Sequence, residues 1–445
     1  MKRTFLPFII LLFAISFKVK AQKGYGFLKN DIKKERIKFE LINNLIVIDL
    51  MVNGNQLSFI LDSGAGKTIL FNLPGKKIPS LKNVKKVKLR GLGKGSSVDA
   101  LLSYNNNVSI KNVINKNETI YVVLKDNFDF SSKMGKTIHG IIGYNILRNF
   151  IVKINYKTKN IVFYNPKKYS YKECFRCEVF PLQIFRKKPY IEAEVQLDTI
   201  NNSFKKVKML IDSGGSDALW LFEDAKKGIK TPNRFFNDIL GEGLSGVIYG
   251  NRSRVPKIKI GSFNVIKPTV SFLDSISTKN ARKFKEREGS IGASILKRFK
   301  VWFDYPNQKI MLKKQKSLSK EFNYNMSGLE VVYSGKELVK EEKKMSNGYN
   351  NREDNSGFSI NVISSFSYKF KPRFKIKSVL KNSAAEKSGL LKDDIIVKIN
   401  NKPAHDYTLS SITAKFQEKA NKKITITVNR NDKILKFEFR LQKKI

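Results

Sequence analysis

Histidine is nearly absent from this 445-residue chain, with only His139 and His405, and cysteine is as scarce, with only Cys174 and Cys177. A Ser-His-Asp centre needs a suitably placed histidine, and a structural zinc site needs four nitrogen or sulfur ligands. The census argues against both, and the chain is expected to work without metal or cofactor. Cys174-Phe175-Arg176-Cys177 reads as a local disulfide or as two idle thiols, since no βαβ pattern surrounds it. Acidic residues are also few, 38 against 85 lysines and arginines, for a formal charge of +47. Such an excess raises the question of nucleic acid. The lysines, however, are spread along the whole chain, and no basic helix, zinc module or aromatic-interleaved motif accompanies them. The composition therefore reads as a solvated basic surface with weak attraction to acidic partners, not as a specific nucleic-acid binder.

Long apolar runs are missing, with one exception. Lys2 and Arg3 precede an apolar stretch of 13 residues, Phe5 to Phe17, and Val19-Lys20-Ala21 offers small residues at −3 and −1 of a cut before Gln22. This is the pattern of a signal peptide over residues 1–21 and is short for a membrane span. The expectation is an exported protein, periplasmic or secreted, with no transmembrane span once the peptide is removed. The mature chain would keep a charge of about +43. With 41% apolar and 11% aromatic residues, it has enough material for real cores.

The most informative pattern is an internal repeat. Phe59-Ile60-Leu61-Asp62-Ser63-Gly64-Ala65 matches Met209-Leu210-Ile211-Asp212-Ser213-Gly214-Gly215. Each is preceded by a strand pair: Leu45–Val52 leads through Asn53-Gly54, a strong hairpin signal, and Tyr190–Leu197 leads through a longer loop. Farther on, Gly140-Ile141-Ile142-Gly143 matches Gly289-Ser290-Ile291-Gly292, each followed by a short helical patch near Ile146 or Ile295. Asp62 to Gly143 spans 81 positions and Asp212 to Gly292 spans 80. Between the landmarks, β-branched and aromatic residues alternate with turn residues, which predicts short strands. Two homologous β lobes are expected, over residues 24–165 and 178–315.

A carboxylate at the end of an apolar strand is costly unless it is paired. If each lobe supplies one and a pseudo-twofold axis relates the lobes, the two acids can meet and share a proton. The ionised member can then activate a water while the protonated one donates to a carbonyl oxygen. At these residues the sequence resembles the pepsin and retropepsin-like aspartic peptidases, which carry Asp-Thr/Ser-Gly in each lobe and a hydrophobic-hydrophobic-Gly segment beneath it. Ser290 departs mildly from that pattern. The resemblance implies catalytic roles for Asp62 and Asp212 and supporting roles for Ser63, Gly64, Ser213 and Gly214. It also implies peptides or unfolded proteins as substrates. A non-catalytic peptide-binding adaptor on the same scaffold is the alternative. Glycine-rich flap candidates lie about 30 positions after each acid, at Gly91, Leu92 and Gly93 and at Gly243 and Leu244. Neither has the Tyr-Gly-Thr-Gly of pepsins. His139 faces Glu288 in the other copy, so a structural or solvated role is expected.

The remainder divides in two. Residues 316–370 read as an irregular linker; Ser334 to Asn355 is polar and charge-mixed, including Lys340-Glu341-Glu342-Lys343-Lys344. Residues 371–445 return to order as a small α+β domain. Phe374–Val379 is a strand, Ser383-Ala384-Ala385-Glu386 a capping box stopped by Gly389, and Leu409, Ile412 and Phe416 share a helix face. This order resembles bacterial PDZ domains, with Asp393 where that family has glycine. The resemblance implies a peptide, often a free C-terminus, added as a strand. Phe374 and Ile376 on the strand, with Ile412 and Phe416 on the helix, are the expected binding residues. The fold as a whole is expected to be mainly β: two pseudo-twofold lobes plus the PDZ-like domain.

Overall fold

The computed structural model describes residues 24–71, 80–93, 95–124, 130–200, 203–349 and 359–445; the expected signal peptide, residues 1–21, lies outside them. In the first lobe the Asn53-Gly54 turn joins β1 (Leu45–Val52) to β2 (Asn55–Leu61), with Asn53 and Gly54 both at positive φ. A second long hairpin starts at β3 (Lys85–Leu89) and β4 (Val98–Ile110). β5 (Gly140–Ile142) then runs parallel to β2 in the register Ile60↔Ile141 and Leu61↔Ile142, and α1 (Tyr144–Leu147) follows it. This pairing drives the end of β2, and so Asp62, into the middle of the molecule.

β6 (Ile151–Asn155) and β7 (Asn160–Tyr164) leave the lobe for a shared base. The second lobe repeats the plan. β8 (Lys188–Gln196) pairs with β9 (Lys205–Asp212), followed by the hairpin of β10 (Phe236–Gly243) and β11 (Gly246–Arg254). β12 (Arg287–Gly292) lies parallel to β9, and α2 (Ala293–Leu296) follows. β13 (Phe299–Asp304) and β14 (Lys309–Lys314) complete a six-stranded base sheet in which β6 and β13 are the central neighbours. Their antiparallel register pairs Lys153 with Trp302, and the repeat also equates those two positions, so the pseudo-twofold axis passes there. One continuous apolar core, from Phe59 and Phe163 to Phe299 and Phe303, runs through both lobes and the base. It includes Phe322, beyond the expected lobe boundary, and Arg298 donates to the carbonyls of Ser317, Leu318, Lys320 and Glu321.

The segment expected as an irregular linker is instead largely strand. β15 (Leu329–Tyr349) and β16 (Ser359–Val379) form a long antiparallel ribbon running out of the C-terminal domain. At its domain end Leu329, Val332, Phe374 and Ile376 are buried, but no side chain is buried over residues 334–342 or 364–373, so this part lacks the period-2 hydrophobic signal of a core strand. α3 (Ala384–Lys387), β17 (Ile395–Ile399), α4 (Leu409–Lys415), β18 (Lys423–Arg430) and β19 (Lys433–Arg440) complete this domain around its own core. Ser383 caps α3 by accepting from the Glu386 N–H, and Asp393 has φ +68°, the conformation for which glycine is usual. No helix among the described residues is long and apolar enough to cross a membrane.

Candidate active site

Each acid is delivered by a buried strand and held by its own turn. The Gly64 N–H donates to Asp62 Oδ1 at 2.6 Å and the Gly214 N–H to Asp212 Oδ1 at 3.1 Å. The two carboxyl groups converge: Oδ1 of each lies 3.1 Å from the point where a Gly64 side chain would begin. They are close enough to hydrogen-bond one another. Burial and the Asp212 charge push the Asp62 carboxyl up, to about 8, against the pull of the Gly64 N–H and of Lys188. Close packing makes glycine necessary at two places. A Cβ on Gly214 would run into the Asp62 carboxyl group, and one on Gly143 into the Asp62 carbonyl.

The serines lock the two turns together. The Ser63 N–H donates to Ser213 Oγ at 2.9 Å, and the Ser213 hydroxyl donates to the Leu61 carbonyl at 2.9 Å. In return the Ser213 N–H donates to Ser63 Oγ at 3.0 Å, and the Ser63 hydroxyl to the Ile211 carbonyl at 2.7 Å. Both serines are essentially solvent-free. The four bonds cross between lobes, so they set the separation of the acids.

Above the acids lies a cleft of about 940 Å³. The flap candidates of both lobes roof it and touch each other. The Ser245 N–H donates to the Leu92 carbonyl at 3.0 Å, the Gly95 N–H to the Ser245 carbonyl at 2.6 Å, and the Gly91 N–H to Ser245 Oγ at 3.1 Å. Leu92, from the first lobe, packs with Phe222, Leu240 and Ile248 of the second; Leu244 packs into the first. Gly243 meets the Leu92 carbonyl with no room for a Cβ, and Gly93 has φ +116°. Lys94 lies outside the described residues.

Three lining residues escaped the sequence reading. Glu118 is buried in the wall and accepts from Thr68, Asn115 and Asn145; burial raises its carboxyl above the ordinary range. Lys188 and Arg287 line the second-lobe side. Arg287 donates to Ser290 Oγ at 2.8 Å, which accounts for a polar residue where the repeat has Ile141. Counting the strand register back from Asp212 across the loop would have reached Lys188. His139 accepts the Ser58 N–H at Nδ1, at 3.0 Å, a structural role. Cys174 and Cys177 form a disulfide.

The expected peptide-binding residues of the C-terminal domain are corrected by the fold. Phe374, Ile376, Ile412 and Phe416 are all buried in its core. The strand that carries Phe374 is hydrogen-bonded on both sides, to β15 and to β17, so no edge is free for a peptide. The edge belongs to β15, which pairs only with β16 among the described residues and runs beside α4. The first lobe abuts this edge: Gly135 lies against Tyr333 and Leu409, and the Asn43 N–H donates to Ser410 Oγ at 2.9 Å.

Comparison with known proteins agrees with this anatomy. Residues 48–146 match the aspartyl protease family and residues 349–429 match the PDZ domain family. The polypeptide thus joins an aspartyl protease domain to a C-terminal PDZ domain. The crystal structure of an aspartic proteinase from Irpex lacteus is similar at 12% identity and a TM-score of 0.42, over 64% of this chain and 98% of that one. No curated protein matches the sequence.

Proposed function

We propose that the protein is an exported aspartic endopeptidase in which Asp62 and Asp212 act as one acid-base pair. The observation that carries this reading is the convergence of both carboxyl groups at the floor of the cleft, with the lobes cross-bonded beneath them. Asp62, raised by burial and by its neighbour, holds the shared proton and donates it to the scissile carbonyl oxygen. Asp212, ionised, takes a proton from a water lodged between the acids, and that water attacks the carbonyl carbon. As the C–N bond of the tetrahedral diol breaks, Asp212 passes its proton to the leaving nitrogen and a diol hydroxyl returns one to Asp62, which restores the pair.

The Phe5–Phe17 segment supports export. The PDZ domain recruits peptides at the outer edge of β15, beside α4, where Gly135 and Asn43 of the first lobe already sit, so a recruited peptide displaces those contacts. The test is cleavage of an unfolded protein by the purified mature chain. Asp62→Asn and Asp212→Asn are each expected to abolish it with the fold intact. Robust cleavage by either variant would rule the pair out.

A further inference from the structure

The repeat makes the two halves of the cleft directly comparable, and they differ in charge. In the first lobe the β1–β2 register, Val47↔Ile60, continued by two residues, sets Leu45 across from Asp62. In the second lobe the β8–β9 register, Tyr190↔Leu210, continued in the same way, sets Lys188 across from Asp212. Leu45 and Lys188 both line the cleft. Directly opposed residues in an antiparallel pair hold their Cβ atoms about 5 Å apart, so each is the lateral neighbour of its acid. The contrast recurs two residues before the Gly140/Gly289 landmarks. There the first lobe has Ile138, fully buried, and the second has Arg287, also buried. At these two equivalent positions the first lobe is thus apolar and the second cationic.

Arg287 is committed to the protein, donating to the Gly289 carbonyl and to Ser290 Oγ. Lys188 is not: among the described residues its ammonium makes no hydrogen bond and no ion pair. Burial and the Arg287 charge lower its pKa, against the pull of the two aspartates. An ammonium lining a cleft without an acceptor calls for one from outside.

Resting on the peptidase reading, we propose that Lys188 forms a carboxylate-selective subsite beside Asp212, so that the enzyme cuts polypeptides bearing Asp or Glu close to the scissile bond. The apolar Leu45 wall takes an aliphatic or aromatic side chain on the other side of that bond. Matched polarity at Lys188 and the mismatch of a lysine there both contribute to the selection.

The test uses the mature full-length protein and acetylated, amidated peptides that differ only by Glu or Gln. The substitution is scanned through three positions on each side of the cut. A charge-assisted hydrogen bond predicts a kcat/KM for Glu about tenfold above that for Gln at one position. In Lys188→Gln that ratio is expected to fall to about one, and in Lys188→Glu a lysine peptide overtakes the Glu peptide. Equal cleavage of Glu and Gln at every position by the wild type overturns the proposal, whatever the variants do. So does a Glu preference that survives Lys188→Gln. Equal losses on both peptides with a displaced pH profile also overturn it, since Lys188 would then act through the acids. Binding of the same peptides to the Asp62→Asn protein separates the two readings. A Glu preference there sustains the subsite even if the wild type cuts nothing, and its absence removes the subsite even if cleavage is efficient.

Discussion

Removing the Ser213 hydroxyl is the sharpest test of how the lobes are joined. In Ser213→Ala two bonds vanish together: the one accepted from the Ser63 N–H and the one donated to the Leu61 carbonyl. Neither orphaned group can turn to water, because Ser63 is 0% exposed and Leu61 is 0% exposed. Each buried polar group left unsatisfied costs about 1–3 kcal/mol, so the expected loss is about 2–5 kcal/mol. That is a large fraction of the stability of a typical domain, about 5–15 kcal/mol. Urea unfolding followed by tryptophan fluorescence reads it selectively. Trp220 and Trp302 are the only tryptophans and both lie in the lobes, so the C-terminal domain is silent. With a slope of about 3 kcal/mol per molar urea, the midpoint falls by roughly 1 M. Because the lost bonds cross between the acids, kcat under native conditions should fall further than the folded fraction does. A midpoint shift worth less than about 0.5 kcal/mol, with kcat unchanged, would refute the claim that these bonds set the spacing of the pair.

Asp62, pushed up to about 8, keeps its proton through the neutral range, so kcat should fall as pH rises through about 8. The same shift affects stability: the folded state binds this proton more tightly than the unfolded chain. The contribution is full below the ordinary carboxylate pKa and is lost as pH rises through the folded one. Asp62→Asn should therefore gain melting temperature over the wild type at pH 8.5 and not at pH 4; an equal difference at both would contradict the assignment. Phe322→Ala should destabilise the lobes by about 3 kcal/mol although it lies outside the repeat, since it empties part of their core. Truncation after Asn325 should accordingly leave a folded two-lobe protein and truncation after Lys316 should not, as circular dichroism melts would show.

Several features could be read from the sequence because their signals are local. The Asn53-Gly54 hairpin, the Ser383 cap and the doubled Asp-Ser-Gly all depend on residues within a few positions of one another. The outer part of the β15–β16 ribbon was hidden because over residues 334–342 and 364–373 it is held by backbone pairing with no buried side chain to mark it. The strand at the edge of the PDZ domain beside α4 was misassigned for a related reason. Phe374 and Ile376 do form a strand, but whether a strand lies inside a sheet or at its edge depends on what pairs with it.

The sequence by itself determined that there are two lobes, that each ends a buried strand in an acid, and that a small further module follows, because hydrophobic period and turn chemistry are written residue by residue. Only the tertiary structure decided that Leu92 and Leu244 exchange lobes above the cleft, that Phe322 belongs to the lobe core, and that Lys188 rather than a second leucine stands beside Asp212. These are contacts between segments far apart along the chain, and their energies exist only once sheet register and lobe packing have brought the partners within a few ångströms of each other.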